Sequence, residues 1–453
     1  MVSVQYGLIR TIQVRNENVP GVLGQLATTI GKAGGNIGTI VTSHISQNHV
    51  VRDIDVYVRD EEHLRNVLQH INALDHVEVV DVRDEVLDLH MGGKIEMVSR
   101  HPVDSIATLR KVYTPGVADV CLRIADQPDR ARLYTTISRT VAIITDGTAV
   151  LGLGNIGLAP AMPVMEGKAA LLHQFVGVSG VPLLVKANSI DDFVETVVGI
   201  SATFGGIHIE DVAAPGCFEL VAKLRERLTI PVMQDDQDGT AAVVLGAVLS
   251  VGKVTQLPLR SLTIGQIGLG AAGQAIADLL MHTTGNPILG ADLIEERLDR
   301  HRSHGGIAST MAEVMAKADL VVATTGVKGL IKPDMVREGQ IILALSNPSA
   351  EIDPQVALSR GARLAVDGRS VNNVLGYPGI WKGALRSKAS KINREMLVAC
   401  GQALAELSPP GELMPNPLDL EVHRRVAYAV AQAAVQTGVG EQAAAEELEA
   451  WAR

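Results

Sequence analysis

The stretch SLTIGQIGLGAAGQAIADLLMHT, Ser261 to Thr283, runs from an apolar strand pattern through a glycine turn into a helical pattern. Gly268, Gly270 and Gly273 form a G-x-G-x-x-G motif, which signals dinucleotide binding only with a strand before it, a helix after it and an acid about 20 residues on. All three conditions hold. PILGAD reads as a second strand ending in Asp292, nineteen positions beyond Gly273. Gly268 permits the tight turn, Gly270 lets the backbone approach a pyrophosphate, and Gly273 lets the helix lie close to the strand. Ala271 and Ala272 open a helix whose N-terminus favours phosphate charge. DLVVATTG and IILALSNP repeat the pattern of a strand with a turn at its end, so this part of the chain is expected to be a doubly wound Rossmann sheet. Asp292 would repel a 2′-phosphate and Leu293 and Ile294 bring no charge to hold one, which favours NAD over NADP; Arg297 lies near enough to bear on that balance.

A second stretch, VLGLGNIG from Val150 to Gly157, carries the same spacing in Gly152, Gly154 and Gly157. It fails the context test. No acidic residue ends a strand in the following GVSGVPLLVKAN, and Asp146-Gly147 ahead of it reads as a hairpin turn between VAIIT and AVLGL. Its expected role is a backbone-lined wall of a cleft.

The composition frames these motifs. With 453 residues the chain is long enough for about three domains. It is 47% apolar and 20% charged, as in ordinary soluble globular proteins, with a net charge of −10 that disfavours nucleic acid and anionic membranes. MVSVQYGLIRTI has no secretory pattern, and the apolar run Ala241 to Val251 is interrupted and short for a bilayer, which takes about 20 residues. Three scattered cysteines, Cys121, Cys217 and Cys400, suggest neither a disulfide framework nor a C-x-x-C metal site, and a reducing cytoplasm fits them.

Residues 7 to 82 read as βαββαβ: LIRTIQVRN, the helix after Pro20-Gly21, IGTIVTSHIS, HVVRDIDVYVRD, the helix EEHLRNVLQHINAL and VEVVDVRD. This ferredoxin-like order, with its Pro-Gly at the first strand-to-helix turn, resembles the ACT family of small regulatory domains. The resemblance implies effector binding at a subunit interface. The expected division is an ACT-like domain over 1–84, a linker over 85–100, an α/β catalytic domain over 101–254 and a Rossmann domain with C-terminal helices over 255–453.

Between these ends, short apolar strands close on polar residues, the place where α/β sheets bind ligands. GIHIE ends in Glu210-Asp211, IPVMQ in Asp235-Asp236, VVATT in Thr325-Gly326 and IILALS in Asn347-Pro348. Acidic pairs brought together repel, and a hard divalent cation such as Mg²⁺ or Mn²⁺ relieves the repulsion through oxygen ligation. Each pair on its own reads as a solvated loop or a helix cap, and it is their parallel placement at two strand ends that points to a metal site.

KVYTPGVADVC, TDGTAVLGLGNIG, PAMPVMEGKAALL, HIEDVAAPGCFE, QDDQDGTA, ALSNPSAE and SVNNVLGYPGIWKGAL, in this order, resemble the malic enzyme family of bacterial type. The resemblance spans roughly Lys94 to Gly438. It implies oxidative decarboxylation of (S)-malate to pyruvate and CO₂ with reduction of NAD, in a homodimer or larger homo-oligomer. It also implies Glu210, Asp211 and Asp236 as metal ligands with Asp235 behind them, Lys168 as general base and Tyr113 as general acid. Gly268, Gly270, Ala271, Ala272, Gly273, Asp292, Thr325 and Asn347 would bind the cofactor, and Asn347 and Asn373 the malate. Ala149 stands where larger relatives carry a carboxylate-binding arginine, and Asp238 where many bacterial members have histidine. Lys186, at the end of VPLLVK, is a rival base. Two alternatives stay open: another NAD-dependent dehydrogenase under ACT regulation, and an inactive sensor of NAD or an effector.

Overall fold

In the computed structural model, residues 7–347 and 349–441 are described, and the chain divides into two units, Met1–Glu96 and Met97–Arg453. The first holds β1 (Leu8–Glu17), β2 (Asn36–Ile45), β3 (His49–Val58) and β4 (Val77–Arg83), with helices Val22–Lys32 and Glu61–Asn72 in the expected βαββαβ order. The strands pair antiparallel in the order β2-β3-β1-β4. Alternation decides the sheet's inner face: Ile12 and Val14 of β1 and Ile54 and Val56 of β3 are buried against Leu26, Ile30, Val67 and Ile71 of the helices. Gly21, at φ 96°, makes the turn that launches the first helix. Asp60 caps the second by accepting the N–H of His63 at 2.8 Å.

The larger unit contains two parallel sheets. One comprises β5 (Thr140–Thr145), β6 (Ser179–Leu184), β7 (Gly206–Ile209) and β8 (Val232–Gln234), in the order β6-β5-β7-β8. The other comprises β9 (Ile264–Ile267), β10 (Leu289–Ala291), β11 (Ile307–Ala308), β12 (Leu320–Ala323), β13 (Ile341–Ala344) and β14 (Leu364–Asp367), in the order β11-β10-β9-β12-β13-β14. The chain starts this sheet in the middle, winds out one way and returns to wind out the other, the doubly wound topology whose switch point lies between β9 and β12. Every residue of β5 is buried, which explains its unbroken apolar run: a parallel strand covered on both faces needs no alternation.

One apolar core joins the two sheets, from Val141 and Ile143 through Val243 and Val244 to Ile264 and Val322. Its central element is the run Asp235–Thr255, which contains the stretch Ala241 to Val251 expected from sequence to be too short for a bilayer. Its 21 residues are long and apolar enough to cross one, but 67% of the apolar window is buried in the core. Packing between two sheets accounts for the apolarity. The expected hairpin after VAIIT is absent: Thr148 donates its N–H and hydroxyl to Asp146 at 3.0 and 2.6 Å, and Val150–Gly152 coils into a short 3₁₀ turn instead of a strand. The Asp side chain closes the turn locally, and β5 finds its partners in β6 and β7.

Candidate active site

Lys168, buried on the helix Leu158–Val176, meets the polar residues that follow β7 and β8. Its Nζ pairs with Oδ2 of Asp235 and lies 3.2 Å from Oε1 of Glu210. Asn373 donates to the same Asp235 oxygen at 2.6 Å. Asp235 opens a π-helical turn, Asp235–Gly239, and a Cβ on Gly239 would overlap its Oδ1; only glycine lets the turn close over this carboxylate. On the other side of Lys168 the ring of Tyr377 lies 4.4 Å from Nζ, a cation–π contact. Glu210 turns its second oxygen to His208, 2.7 Å from Nε2, and Trp381 donates its indole N–H to Nδ1 of His208 at 2.9 Å.

Asp211 and Asp236 complete the cluster. Asp211 sits at φ 53°, a left-handed conformation unusual for a residue other than glycine, and its carbonyl accepts the N–H of Ala149 at 3.0 Å. Its carboxylate bonds the backbone of Leu151, so the loop Val150–Gly157 is tied to the acidic cluster. Oδ2 of Asp211 is buried with no hydrogen-bond partner. Asp236 accepts from the amide of Gln234 at 2.9 Å.

The charges explain the titration. Burial and then Glu210 push Asp211 up to about 7. Burial, followed by repulsion from Glu210, Asp211 and Asp235, holds Asp236 well above the usual carboxylate range, and burial raises Asp235 despite Lys168. Burial also acts to raise Glu210, but Lys168 and His208 outweigh it and its carboxyl is lowered. For Lys168 burial favours the neutral amine, yet Asp235 and Glu210 prevail and hold it as an ammonium.

Glu210, Asp211 and Asp236 offer ligand atoms within 4.8 Å of one another, as do His208, Glu210 and Asp235. The first set fits a hard divalent cation. Its donors are all carboxylate oxygens, one of them is buried without a partner, and two are raised by burial and by repulsion that a cation would relieve.

The second glycine loop has the geometry of a phosphate cradle. Gly268 is at φ 86°, and a Cβ there would come 2.8 Å from the carbonyl oxygen of Thr324. A Cβ on Gly273 would overlap the carbonyl oxygen of Gly268, whereas Gly270 faces open space out to 4.0 Å. The helix Ala271–Thr284 begins with no side-chain cap, leaving its first N–H groups, including those of Ala271 and Ala272, available to a ligand. Asp292 accepts from the N–H of Leu269 at 2.7 Å and that of Ile294 at 3.0 Å, and pairs with Arg297 at 3.2 Å. Burial tends to raise this carboxyl, but those donors outweigh it and lower it. Thr325 gives both its N–H and its hydroxyl to Glu351, at 2.6 and 2.9 Å, and Ser346 donates its hydroxyl to the same oxygen at 2.5 Å. Thr325 thus shapes the loop beside Gly268 with its hydroxyl already engaged.

Lys168, Asp235, Glu210, Asp211, Asp236 and Asn373 come together. Asn373 does so as a partner of Asp235, a role the sequence did not suggest. Asn347 is exposed beside Gly368, whose Cβ would lie 2.8 Å from its Nδ2. Tyr113 stands apart: it is 70% exposed at the end of the helix Ile106–Val112, and among the described residues no side-chain hydrogen bond joins it to the cluster. Lys186, the rival base, is exposed, while Lys168 is buried among carboxylates. Asp238, singled out for its local charge, pairs with Arg225 at 2.6 Å and accepts the N–H of Gln234 at 3.1 Å. Sequence reasoning missed His208, Tyr377, Trp381 and Glu351. His208 had a signal, since it lies on β7 two positions before Glu210, just ahead of the acidic pair.

Known proteins resemble this chain along most of its length. A model of the malic enzyme N-terminal domain matches residues 92–225, and an ACT domain model matches residues 9–81. NAD-dependent malic enzyme 1 of Bacillus subtilis is 50% identical over 430 residues, covering 94% of this chain and 98% of the relative. The chain belongs to the malic enzyme family. NAD-dependent malic enzyme of Geobacillus stearothermophilus is 37% identical over 456 residues, with 95% of each chain covered. Among solved structures of the family, malic enzyme from Pyrococcus horikoshii matches with a TM-score of 0.75 at 35% identity, over 82% of this chain and 95% of that one. NAD-dependent malic enzyme from Thermotoga maritima matches with a TM-score of 0.72 at 34% identity, over 76% and 98%. Within the family's N-terminal region lie Tyr113, Lys168, Glu210 and Asp211, while Asp235, Asp236 and the cofactor loop follow it.

Proposed function

We propose that this protein oxidises (S)-malate with NAD and decarboxylates it to pyruvate and CO₂, with a divalent cation held by Glu210, Asp211 and Asp236. The observation that carries the reading is Lys168, buried between Asp235 and Glu210 beside an oxygen cluster fit for a cation. When bound, NAD accepts the hydride of C2 and the cation, Mg²⁺ or Mn²⁺, draws electron density from the malate oxygens. Once its ammonium has released a proton to solvent, Lys168 takes the C2 hydroxyl proton at Nζ. Neutralising Glu210 removes one of the two carboxylates that favour its ammonium form, moving the side chain toward the free amine. Asp235, fixed by Asn373, keeps Nζ in place while the proton moves. Oxidation of C2 leaves a β-keto acid, the C3–C4 bond breaks with loss of CO₂, and C3 takes up a proton to give pyruvate. We assign that proton to Tyr113 on the sequence resemblance.

Arg297 supports NAD over NADP, because its guanidinium is engaged by Asp292 instead of standing free for a 2′-phosphate. The ACT domain supports regulation by a small effector. A homodimer is supported by the helices Ile106–Val112 and Gly116–Asp126, which bury no residue in the single chain and expose Leu109, Val112 and Leu122. The free cysteines suit a cytoplasmic location. The two parallel sheets support a division of the larger unit near residue 254. The deciding experiment measures pyruvate and CO₂ from malate with NAD or NADP, with and without Mn²⁺. Formation with NAD and Mn²⁺ is expected, and no pyruvate under any of these conditions overturns the proposal.

A further inference from the structure

Both candidate cation groups contain Glu210, and one of them would add an imidazole, the commonest protein ligand of transition metals. We infer that His208 and Trp381 form a positioning pair: the indole locks the imidazole proton onto Nε2, which holds Glu210 among the carboxylate ligands and keeps His208 from ligating the cation. The inference rests on the cation site assigned above.

An indole nitrogen can only donate a hydrogen bond. Trp381 donates to Nδ1 of His208 at 2.9 Å, and both residues are fully buried, so no water competes for that lone pair. An imidazole with Nδ1 as acceptor carries its proton on Nε2. That N–H faces Oε2 of Glu210 at 2.7 Å and donates to it. A protonated nitrogen has no lone pair to offer a cation, so the His208-containing group is closed. Asp235, its third member, has its Oδ2 engaged by Lys168 and Asn373, while its Oδ1 is buried without a partner. What remains is Glu210, Asp211 and Asp236, with Glu210 oriented by His208 through one oxygen and by Lys168 through the other.

The surrounding packing is built for the lock. A Cβ on Gly206, two residues before His208, would overlap the Trp381 ring, so glycine there lets the indole lie against β7. Trp381 and Tyr377 are four apart on the helix Tyr377–Arg386 and share one face. One backs His208 and the other Lys168, so a single helix face supports both groups that contact Glu210.

The test uses the full-length protein. Nitrogen NMR of ¹⁵N-histidine-labelled, metal-free protein, with His208 identified from the His208→Gln spectrum, should show Nδ1 bare and Nε2 protonated, unchanged in type when Mg²⁺ is added. Mn²⁺ affinity, read by electron paramagnetic resonance, should fall about 10- to 100-fold in His208→Leu, the range for losing a partner that orients a ligand. His208→Gln, whose amide can still donate to Glu210, should recover most of that loss. Trp381→Phe, checked for folding by circular dichroism, should release the tautomer and weaken Mn²⁺ less than His208→Leu does. A proton on Nδ1 in the wild type, or unchanged Mn²⁺ affinity in His208→Leu, overturns the inference. Because these measurements need neither malate nor NAD, they separate from the turnover test: an Nε2 proton in a protein that makes no pyruvate would leave the pair standing and remove the proposed reaction.

Discussion

The loops Val150–Gly157 and Gly268–Gly273 have the same glycine spacing and opposite uses. The second follows a buried strand, opens an uncapped helix and is tied by the Leu269 N–H to Asp292. The first follows a turn closed by Asp146, holds Leu151 at φ 50°, Gly154 at φ 80° and Gly157 at φ 87°, and bonds Asp211 through its backbone. On the function proposed above, one loop serves the cofactor's phosphates and the other borders the acidic cluster. The spacing alone records only that the chain turns sharply; what lies before and after the turn assigns its work.

The predictions set the two loops against each other. The largest effect belongs to the lysine that follows the first loop. Lys168→Met should lower kcat by about 10²- to 10⁴-fold, the range for losing a positioned acid–base group, while NAD still binds, as read by protein fluorescence. A variant that retained more than a tenth of wild-type kcat would remove Lys168 from its role. In the second loop, Gly273→Ala forces a methyl into the Gly268 carbonyl and should cost about 1–3 kcal/mol or more, along with NAD affinity. Its counterpart Gly154→Ala meets nothing within 4 Å and suffers only the left-handed backbone, about 1–2 kcal/mol. Thermal melting with and without NAD separates the two, and equal losses would break the contrast.

A third prediction concerns pH. Asp211 ionises near 3.8 when unfolded and at about 7 when folded, so between these values the folded state holds a proton that the unfolded chain has released. This group's contribution to the stability of the metal-free protein therefore falls as pH rises from 3.8 toward 7. Cation binding needs the carboxylate, so the rise in melting temperature given by Mn²⁺ should shrink as pH falls below about 7. A rise that is flat with pH would separate Asp211 from the cation. The smallest effect is expected at the cofactor end, where Asp292→Asn keeps the loop's shape but weakens its charge. KM for NAD should rise by about tenfold, in line with a charged hydrogen bond worth roughly 1.5 kcal/mol, and the preference over NADP should narrow.

Much of this was legible along the chain because the evidence was local. The βαββαβ order reads off one element after another, and the Rossmann fingerprint and each acidic pair after β7 and β8 lie within one strand, turn and helix. Asn373, Trp381 and Tyr377 were not legible as partners of Asp235, His208 and Lys168. The Trp381–His208 bond joins residues 173 positions apart, and no periodicity carries information over that distance. Tyr113 shows the converse: its motif was readable, but the single chain leaves its side chain exposed.

By itself the sequence determined where the chain turns, which faces are apolar and which strand ends carry acid, because backbone dihedral preference and side-chain polarity act over a few residues. The tertiary structure alone decided that Asp235 and Glu210 favour the ammonium of Lys168, that burial and Glu210 push the Asp211 carboxyl up to about 7, and that His208 lies between Trp381 and Glu210. Those states depend on burial and on charges brought within a few ångströms by separate elements, and neither exists until the elements have packed.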